Sequence, residues 1–528
     1  MKNMILISWV YLLIATTAQA AKTFVYCSEA SPKIFNPQLG LDGPTFNASS
    51  RPLYNRLVEF VQGGTEIIPA LAESWTINKN STVYTFKLRK DVSFHTTDYF
   101  KPTRNMNADD VLFSFDRMRL ANHPYHKVNG GLYQYFDGME MGKLIKKLYK
   151  VDDYTVVFEL NNPEAPFLAN MAMDFASVLS KEYADQLLKK NQPQKIDLEP
   201  IGTGPFVFKS YVKDNVIRYK AHDKYFRGAA KIANLVYAIT PDPSVRFQKL
   251  KAGECHFIAE PSPADIPKIE HDKKFQVTKI EGLNVGYLAF NTTKKPFDNL
   301  LVRKAIHLAL NRDAYIKAIY LGTAKKAKNP IPPSMWSYNE KIKDYNYNPE
   351  QAKKLLVQAG YKKGFDTELW TLPVSRPYNP NGKRMGEMMQ ADLAKIGVRA
   401  KLVTYKWAEY LKKAANGEHA LLQLGWTGDN GDPDNFLNNL LGCAAVLKGS
   451  NYSRWCDKKF QNHIDKAKLT FKHDLREKHY KMAQEIFKKQ VPWVTLAHST
   501  VFKAMAKNVE GYKASPFNLE SFYEVDLK

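Results

Sequence analysis

Between residues 349 and 427 the spacing of apolar residues switches repeatedly between two periods. Helical spacing runs over 349–359 and 384–396, while strand-like segments stand at 367–372, 398–403 and 419–424. Helices that alternate with strands in this way imply βαβ units with a covered, largely parallel sheet. The first half has a different habit. Residues 22–27 open as a strand, residues 69–75 lead into an alternating, half-buried strand over 83–89 with a turn at 78–81, and 150–160 repeats strand and turn. Asn107, followed closely by Asp109 and Asp110, predicts a helix start, because an N-cap side chain and acids in the first turn satisfy free backbone N–H groups.

No repeat and no low-complexity linker separates the two halves of this 528-residue chain. Two compact units without a flexible tether are joined by ordered strands, which then serve as hinges. The candidates are 283–290 going over and 494–498 coming back, with the C-terminal tail rejoining the first unit. The expected fold is α/β and two-lobed, with mixed sheets in both lobes and a hinge between them. Residues 21–282 with 499–528 form the first lobe, which carries an inserted subdomain, and 283–498 form the second.

Location is written into the first twenty residues. Lys2, an apolar run over 4–15 and the small-x-small ending Ala18-Gln19-Ala20 read as a secretory signal peptide cleaved after Ala20. No later window is apolar over the ~20 residues that a membrane span needs, so the product is expected to be exported and soluble. Lysine and arginine outnumber acids 76 to 53, a formal charge of +23, yet the basic residues are dispersed and no run of five like charges occurs. That pattern describes a solvated basic surface, not a nucleic-acid interface, although it favours anionic partners or membrane faces.

Four cysteines, Cys27, Cys255, Cys443 and Cys456, suit two disulfides in an oxidising compartment, with three connectivities open. Cys443 and Cys456 would close a short loop, which leaves Cys27 with Cys255. No C-x-x-C motif is present.

Catalytic signals are poor: no G-x-S-x-G elbow, no H-E-x-x-H, and no cysteine beside a histidine. His95, His123 and His126 read as core or surface histidines, not as a metal or haem site. Residues 202–206 (GTGPF) lack the Lys-Ser/Thr of a phosphate loop and read as a turn into a strand. Residues 425–436 (GWTGDNGDPDNF) invite comparison with a calcium loop, which needs acids or amides at its first, third and fifth positions and glycine at the sixth. Starting at Asp429 puts Gly431 and Pro433 at ligand positions, and starting at Asp432 fails at Phe436.

What remains is a glycine-rich bend at the carboxyl end of a strand, where open α/β sheets place ligands. Asp429, with glycine neighbours, is suited to meet a cation. Alternatively the bend is a turn whose acids cap the next helix, which Asp432 and Asp434 fit. Arg376 ends another strand of the same lobe and is followed by a rigid, proline-rich loop. Its guanidinium suits a carboxylate gripped through two hydrogen bonds, or a structural salt bridge. An acid and an arginine at neighbouring strand ends suit a zwitterion.

Several ordered segments then resemble one family: 54–59 (YNRLVE), 69–75 (PALAESW), 84–90 (YTFKLRK), 107–111 (NADDV), 202–206 (GTGPF), 284–287 (NVGY), 376–380 (RPYNP) and 425–436. The chain resembles the extracellular peptide and nickel solute-binding proteins of bacterial ABC importers (family 5), in their dipeptide branch, over the whole of 22–528. The resemblance implies a periplasmic binding-protein fold (type II, cluster C), no enzymatic activity and no cofactor. It also implies a monomer that closes over a dipeptide in the periplasm and then docks on an inner-membrane permease.

Carried onto this sequence, Asp429 pairs with the peptide ammonium and Arg376 with its carboxylate. Pro377 and Tyr378 line the carboxylate end, and Trp426, Thr427 and Gly428 flank Asp429. Leu41, Asp42 and Gly43 offer main-chain groups from the first lobe, though small hydroxyl residues are usual near 41 and 42. The family pattern agrees with the two disulfide pairs above. Relatives that bind haem or glutathione supply the alternative reading.

Overall fold

The computed structural model describes residues 21–528; the expected signal peptide lies outside the described residues. One twelve-stranded sheet runs through the molecule, and it does so because of a single long strand, Trp493–Ala506. The early part of this strand pairs antiparallel with Asn284–Phe290, and its later part with Phe275–Glu281, from Thr500↔Glu281 to Ala506↔Phe275. Only Gly282 and Leu283 separate those two partner strands. The chain therefore crosses between lobes twice, side by side, on strands.

At the crossing the side chain of Asn284 replaces a missing rung of the ladder. Its Nδ2 donates to the Ser499 carbonyl at 2.9 Å, and its Oδ1 accepts from the Ser499 N–H at 2.9 Å. Glycine precedes it at 282 for a steric reason: a Cβ there would lie 2.0 Å from Asn284 Nδ2 and 2.5 Å from the Ser499 carbonyl oxygen. Just inside the second lobe, Tyr287 stacks on Trp493 across the two strands, with centroids 3.9 Å apart and planes 7° from parallel. Both rings are almost fully buried, so the hinge strands leave the second lobe from a rigid core.

The first-lobe part of the sheet sets Thr23–Ser28 parallel to Asn234–Ile239 and to Phe257–Ile258, with Val216–Ala221 and Phe206–Val212 added antiparallel. The GTGPF segment turns into Phe206–Val212, as its composition predicts. A Cβ at Gly202 would sit 1.9 Å from the Leu53 carbonyl oxygen, so the chain passes too close to a neighbouring backbone for any side chain. A separate four-stranded sheet runs in the order Ala72–Ile77, Val83–Leu88, Thr155–Leu160, Ile145–Asp152. Helix Ala108–Arg119 packs beside it and starts with a full capping box between Asn107 and Asp110.

The βαβ part of the second lobe is parallel, and its sheet as a whole is mixed, as expected for both lobes. Phe365–Trp370 is parallel to Val398–Val403 and to Leu421–Thr427, but Leu421–Thr427 is antiparallel to Asn284–Phe290 over seven rungs. The entering and leaving hinge strands are neighbours that run in opposite directions. No crossover helix is needed between them, and that forces a mixed sheet. Two boundaries move. The helix expected at 384–396 is Gly382–Ala394, because Asn381 Oδ1 accepts the Arg384 N–H at 3.0 Å and starts it earlier. The last strand ends at Thr427, because Trp426 and Thr427 pair with Val285 and Asn284.

Both disulfides form between the expected partners, with Cα–Cα distances of 5.8 Å for Cys27–Cys255 and 4.7 Å for Cys443–Cys456. The first ties the opening strand to a segment 228 residues later. Because a cross-link of that length removes much of the unfolded chain's freedom, we expect Cys27→Ser with Cys255→Ser to lose about 2–5 kcal/mol, read from the urea midpoint. The 13-residue Cys443–Cys456 loop should cost less to open. A larger loss on opening the short loop would contradict this ordering.

Candidate functional site

Where the two lobes meet, a cleft of about 730 Å³, mouth included, lies between them. The second lobe supplies the ends of Phe365–Trp370 and Leu421–Thr427, and the loops that follow those strands carry Arg376 and Asp429. Both side chains line this one cleft and both are buried, at 6% and 7% exposure. Tyr378, Trp426, Thr427, Leu41, Asp42 and Gly43 line it as well. Pro377 and Gly428 stand behind the wall. The Pro377 carbonyl accepts from Ser499 Oγ at 2.7 Å, and the Gly428 N–H donates to the Leu283 carbonyl at 2.7 Å.

The floor is shaped by a pair of glycines on adjacent strands, Gly286 opposite Gly425. A Cβ at Gly425 would lie 2.2 Å from the Tyr378 ring, and one at Gly286 would lie 2.3 Å from the Tyr378 carbonyl oxygen. The Arg376–Asn379 turn therefore rests directly on the sheet. It is closed by reciprocal backbone hydrogen bonds of 3.1 and 3.0 Å, and the Tyr378 carbonyl accepts from Tyr320 Oη at 2.6 Å.

Asp429 is held on one side only. Its Oδ2 accepts hydrogen bonds from Tyr135 Oη, which reaches across from the first lobe, and from Asn435 Nδ2 at 3.3 Å. Asn435 Oδ1 in turn accepts from the Asp429 N–H at 3.0 Å and from Trp426 Nε1 at 2.9 Å, which fixes the bend. Among the described residues Asp429 Oδ1 accepts no hydrogen bond. Burial pushes the carboxyl up to about 7; the Tyr135 hydroxyl pulls it down, and the charge of Asp174 pushes it further up. Asp432 and Asp434 are placed differently. Asp432 accepts the Asp434 N–H at 3.0 Å at the start of helix Asp434–Leu441 and pairs with Arg476 at 2.7 Å. The acid-rich bend thus divides into Asp429, which lines the cleft, Asp432, which holds the bend, and Asp434, whose Oδ2 accepts from Asn438 Nδ2 at 3.3 Å within the helix.

Arg376 engages a partner 347 residues away in the sequence. Its Nη1 donates to Glu29 Oε1 at 2.5 Å across the lobes, and its guanidinium lies 4.8 Å from the centre of the Trp407 ring. Nη2 is buried and has no hydrogen-bond partner among the described residues. The salt-bridge reading of Arg376 is therefore realised through one arm while the other is left over. Burial works against ionising Glu29, but Arg376, a backbone hydrogen bond and the charges of Arg246 and Lys503 together outweigh it and hold the carboxyl below its usual range.

Asp42 caps helix Gly43–Ala48 through the Thr45 N–H at 3.2 Å and Thr45 Oγ1 at 2.9 Å, and it accepts from Trp407 Nε1 of the other lobe at 3.4 Å. Its side chain is committed to structure. Glu29, Glu260, Trp407 and Tyr452 also line the cleft and were not singled out from sequence. Three come from separate loops and Trp407 opens the helix Trp407–Ala415, and none carries a local motif.

Elsewhere, His95, His123 and His126 bond backbone groups: His95 Nε2 contacts the Gly204 carbonyl at 2.9 Å, His123 Nδ1 accepts the Tyr125 N–H at 3.2 Å, and His126 Nδ1 contacts the Arg117 carbonyl at 2.9 Å. Among the described residues no three His, Cys, Asp or Glu side chains group so as to hold a metal ion. No helix among them is long and apolar enough to cross a membrane.

Two lobes on paired hinge strands, meeting over one cleft with a buried acid and a buried arginine, define a ligand-binding protein of the closing-lobe class. The chain belongs to the bacterial extracellular solute-binding proteins, family 5, whose middle region matches residues 66–447. It is 54% identical over 522 residues to the dipeptide-binding protein of Escherichia coli (strain K12), covering 99% of this chain and 97% of that one. It is 49% identical to heme-binding protein A of Haemophilus influenzae, over 96% and 92% of the two chains. The crystal structure of a dipeptide-binding protein from Pseudoalteromonas sp. SM9913 in complex with Met-Leu superposes with a TM-score of 0.94 at 41% identity, over 96% of this chain and all of that one. The chain is accordingly a solute-binding protein and not an enzyme.

Proposed function

We propose that this protein captures dipeptides outside the inner membrane and delivers them to an ABC importer. Asp429 receives the ammonium and Arg376 the terminal carboxylate. The closing lobes are 21–282 with 499–528, and 283–498. The observation that carries the reading is the pairing, in one buried cleft, of a carboxylate with a free oxygen and a guanidinium with a free arm. Loop 41–43 and Trp426–Thr427 add main-chain and wall contacts, and the residues 1–20 serve as the export signal. Purification under native conditions followed by native mass spectrometry should show dipeptide masses bound, and calorimetry with Ala-Ala should give one site per chain. Absence of binding to any dipeptide overturns the reading, as does release of free amino acids from a labelled one.

The haem alternative fits less well. Among the described residues no histidine, cysteine or methionine lines the cleft, which leaves Tyr378 or Tyr452 as axial ligands. Burial pushes both phenols up to about 12, against the tyrosinate form. Glutathione carries a second carboxylate, which an end holding Glu29 and Glu260 opposes.

The clamp makes binding depend on pH. Asp429 must be ionised to hold an ammonium, but its carboxyl sits near 7 in the folded protein. A peptide arriving below that value must displace a proton. Affinity should fall by up to about tenfold per pH unit below 7, with proton release on binding measured by calorimetry in buffers of different ionisation heat. The effect on folding has the opposite sense. A carboxyl raised from an unfolded value of about 3.9 contributes stability that is fully present below about 3.9 and lost as pH rises through the folded value. Asp429→Asn should flatten both slopes; an unchanged affinity slope in that variant contradicts the assignment.

A further inference from the structure

The protein is strongly basic, yet among the described residues its cleft is lined by four carboxylates, Glu29, Asp42, Glu260 and Asp429, against one cation, Arg376. Three of the four have a task. Glu29 is paired with Arg376, Asp42 caps a helix and bonds Trp407, and Asp429 takes the Tyr135 hydroxyl. Glu260 is the remainder. It is 7% exposed, its Oε1 accepts from Asn518 Nδ2 at 2.9 Å, and its Oε2 accepts no hydrogen bond among the described residues. The nearest cation, Lys503, is 3.8 Å away and is held more tightly by Glu520 and by Asn518 Oδ1, the latter at 2.5 Å.

The backbone at Glu260 is also unusual, with φ at 41° in the left-handed region. A glutamate gains nothing locally from that conformation, which persists only where the surroundings over-determine it. Here a buried arginine does so, since Arg246 Nη2 donates to the Glu260 carbonyl at 2.9 Å and Arg246 Nε to the Ala259 carbonyl at 2.7 Å. The result is an underused carboxylate fixed in the cleft wall, at the end where Arg376 and Tyr378 feel its charge. Burial, together with the charge of Glu29, raises its carboxyl above the usual range, so it gains by meeting a cation.

A peptide carboxylate seated on Arg376 adds another negative charge to this end and competes with Glu29 for the guanidinium. Buried like charges without a counterion are costly, and a cation brought by the ligand offsets them. We infer that Glu260, with Glu29, makes the carboxyl-terminal subsite selective for a basic side chain, favouring dipeptides that end in lysine or arginine and rejecting those that end in an acid. This selectivity rests on the dipeptide reading above; rejection of acidic residues is repulsive discrimination built into the wall.

The test is calorimetry at one pH and ionic strength with Ala-Lys, Ala-norleucine, Ala-Glu and Lys-Ala. Norleucine matches the lysine stem without its charge. The wild-type protein should bind Ala-Lys at least tenfold tighter than Ala-norleucine, and Ala-Glu at least tenfold weaker. In Glu260→Gln the ratio of Ala-Lys to Ala-norleucine should fall toward one, whatever happens to either affinity alone. Equal wild-type affinities for Ala-Lys and Ala-norleucine overturn the inference while leaving dipeptide capture intact. So does a preference for Lys-Ala over Ala-Lys, or a ratio that survives in Glu260→Gln. Failure of all four peptides to bind overturns both.

Discussion

Replacing Asp429 by alanine should weaken dipeptide binding by about 2–5 kcal/mol, the usual loss when one partner of a buried charge pair is removed. The loss is large because the groups that hold this carboxylate in place carry no charge of their own. Its partners Tyr135 and Asn435 are a hydroxyl and an amide, which cannot neutralise a buried ammonium. Removing the acid also cuts the Tyr135 contact between lobes, so closure itself should weaken. Isothermal titration with Ala-Ala, beside a thermal melt without peptide, separates the two effects. Ala-Ala affinity within threefold of wild type would remove Asp429 from the site.

Arg376→Ala should lose as much binding and should also destabilise the fold. Glu29 would be left buried without its cation, and breaking a buried pair by removing one partner costs about 3–5 kcal/mol. The sign of the pH dependence follows. In the wild type the lowered Glu29 carboxyl contributes stability that is present above its unfolded value and lost on acidification through the folded one. In Arg376→Ala that carboxyl rises instead, so the stability gap between the proteins should widen as pH climbs from 4 to 7. Adding Glu29→Gln should recover much of the stability while leaving peptide binding lost. Recovery of both in the double variant would mean that Arg376 is a structural salt bridge alone.

How much of this was legible in the sequence depends on how local the cause is. The Asn107 capping box, the GTGPF turn and the acid-rich bend each act within a few residues, and each was readable. The two-lobed arrangement and both hinge strands were readable too, from helix and strand alternation and from the missing linker. The hinge strands' antiparallel pairing was not. It is set by where Asn284–Phe290 and Trp493–Ala506 meet, some two hundred residues apart in the chain, and no periodicity encodes a neighbour.

The site divides in the same way. Asp429 and Arg376 could be singled out because each stands at a strand end in a distinctive loop. Glu29 and Glu260 could not, because a lone glutamate after a short strand carries no mark of what faces it. The glycines at 286 and 425 are intelligible only once the Tyr378 turn is seen lying on them.

The central claim is that the cleft holds a peptide by both charged ends. The most direct measurement is the affinity of one protein preparation for Ala-Ala, N-acetyl-Ala-Ala, Ala-Ala-amide and Ala-Ala-Ala-Ala-Ala under one set of conditions. Each added residue of an extended chain displaces the far terminus by ~3.3–3.6 Å, so fixed charges at both ends select length as well as termini. The zwitterionic dipeptide should bind tightest. Blocking either end should weaken binding by at least about 2 kcal/mol, and the pentapeptide should bind no better than the blocked forms. Affinities for the acetylated or amidated peptide within threefold of Ala-Ala would contradict the two-ended clamp.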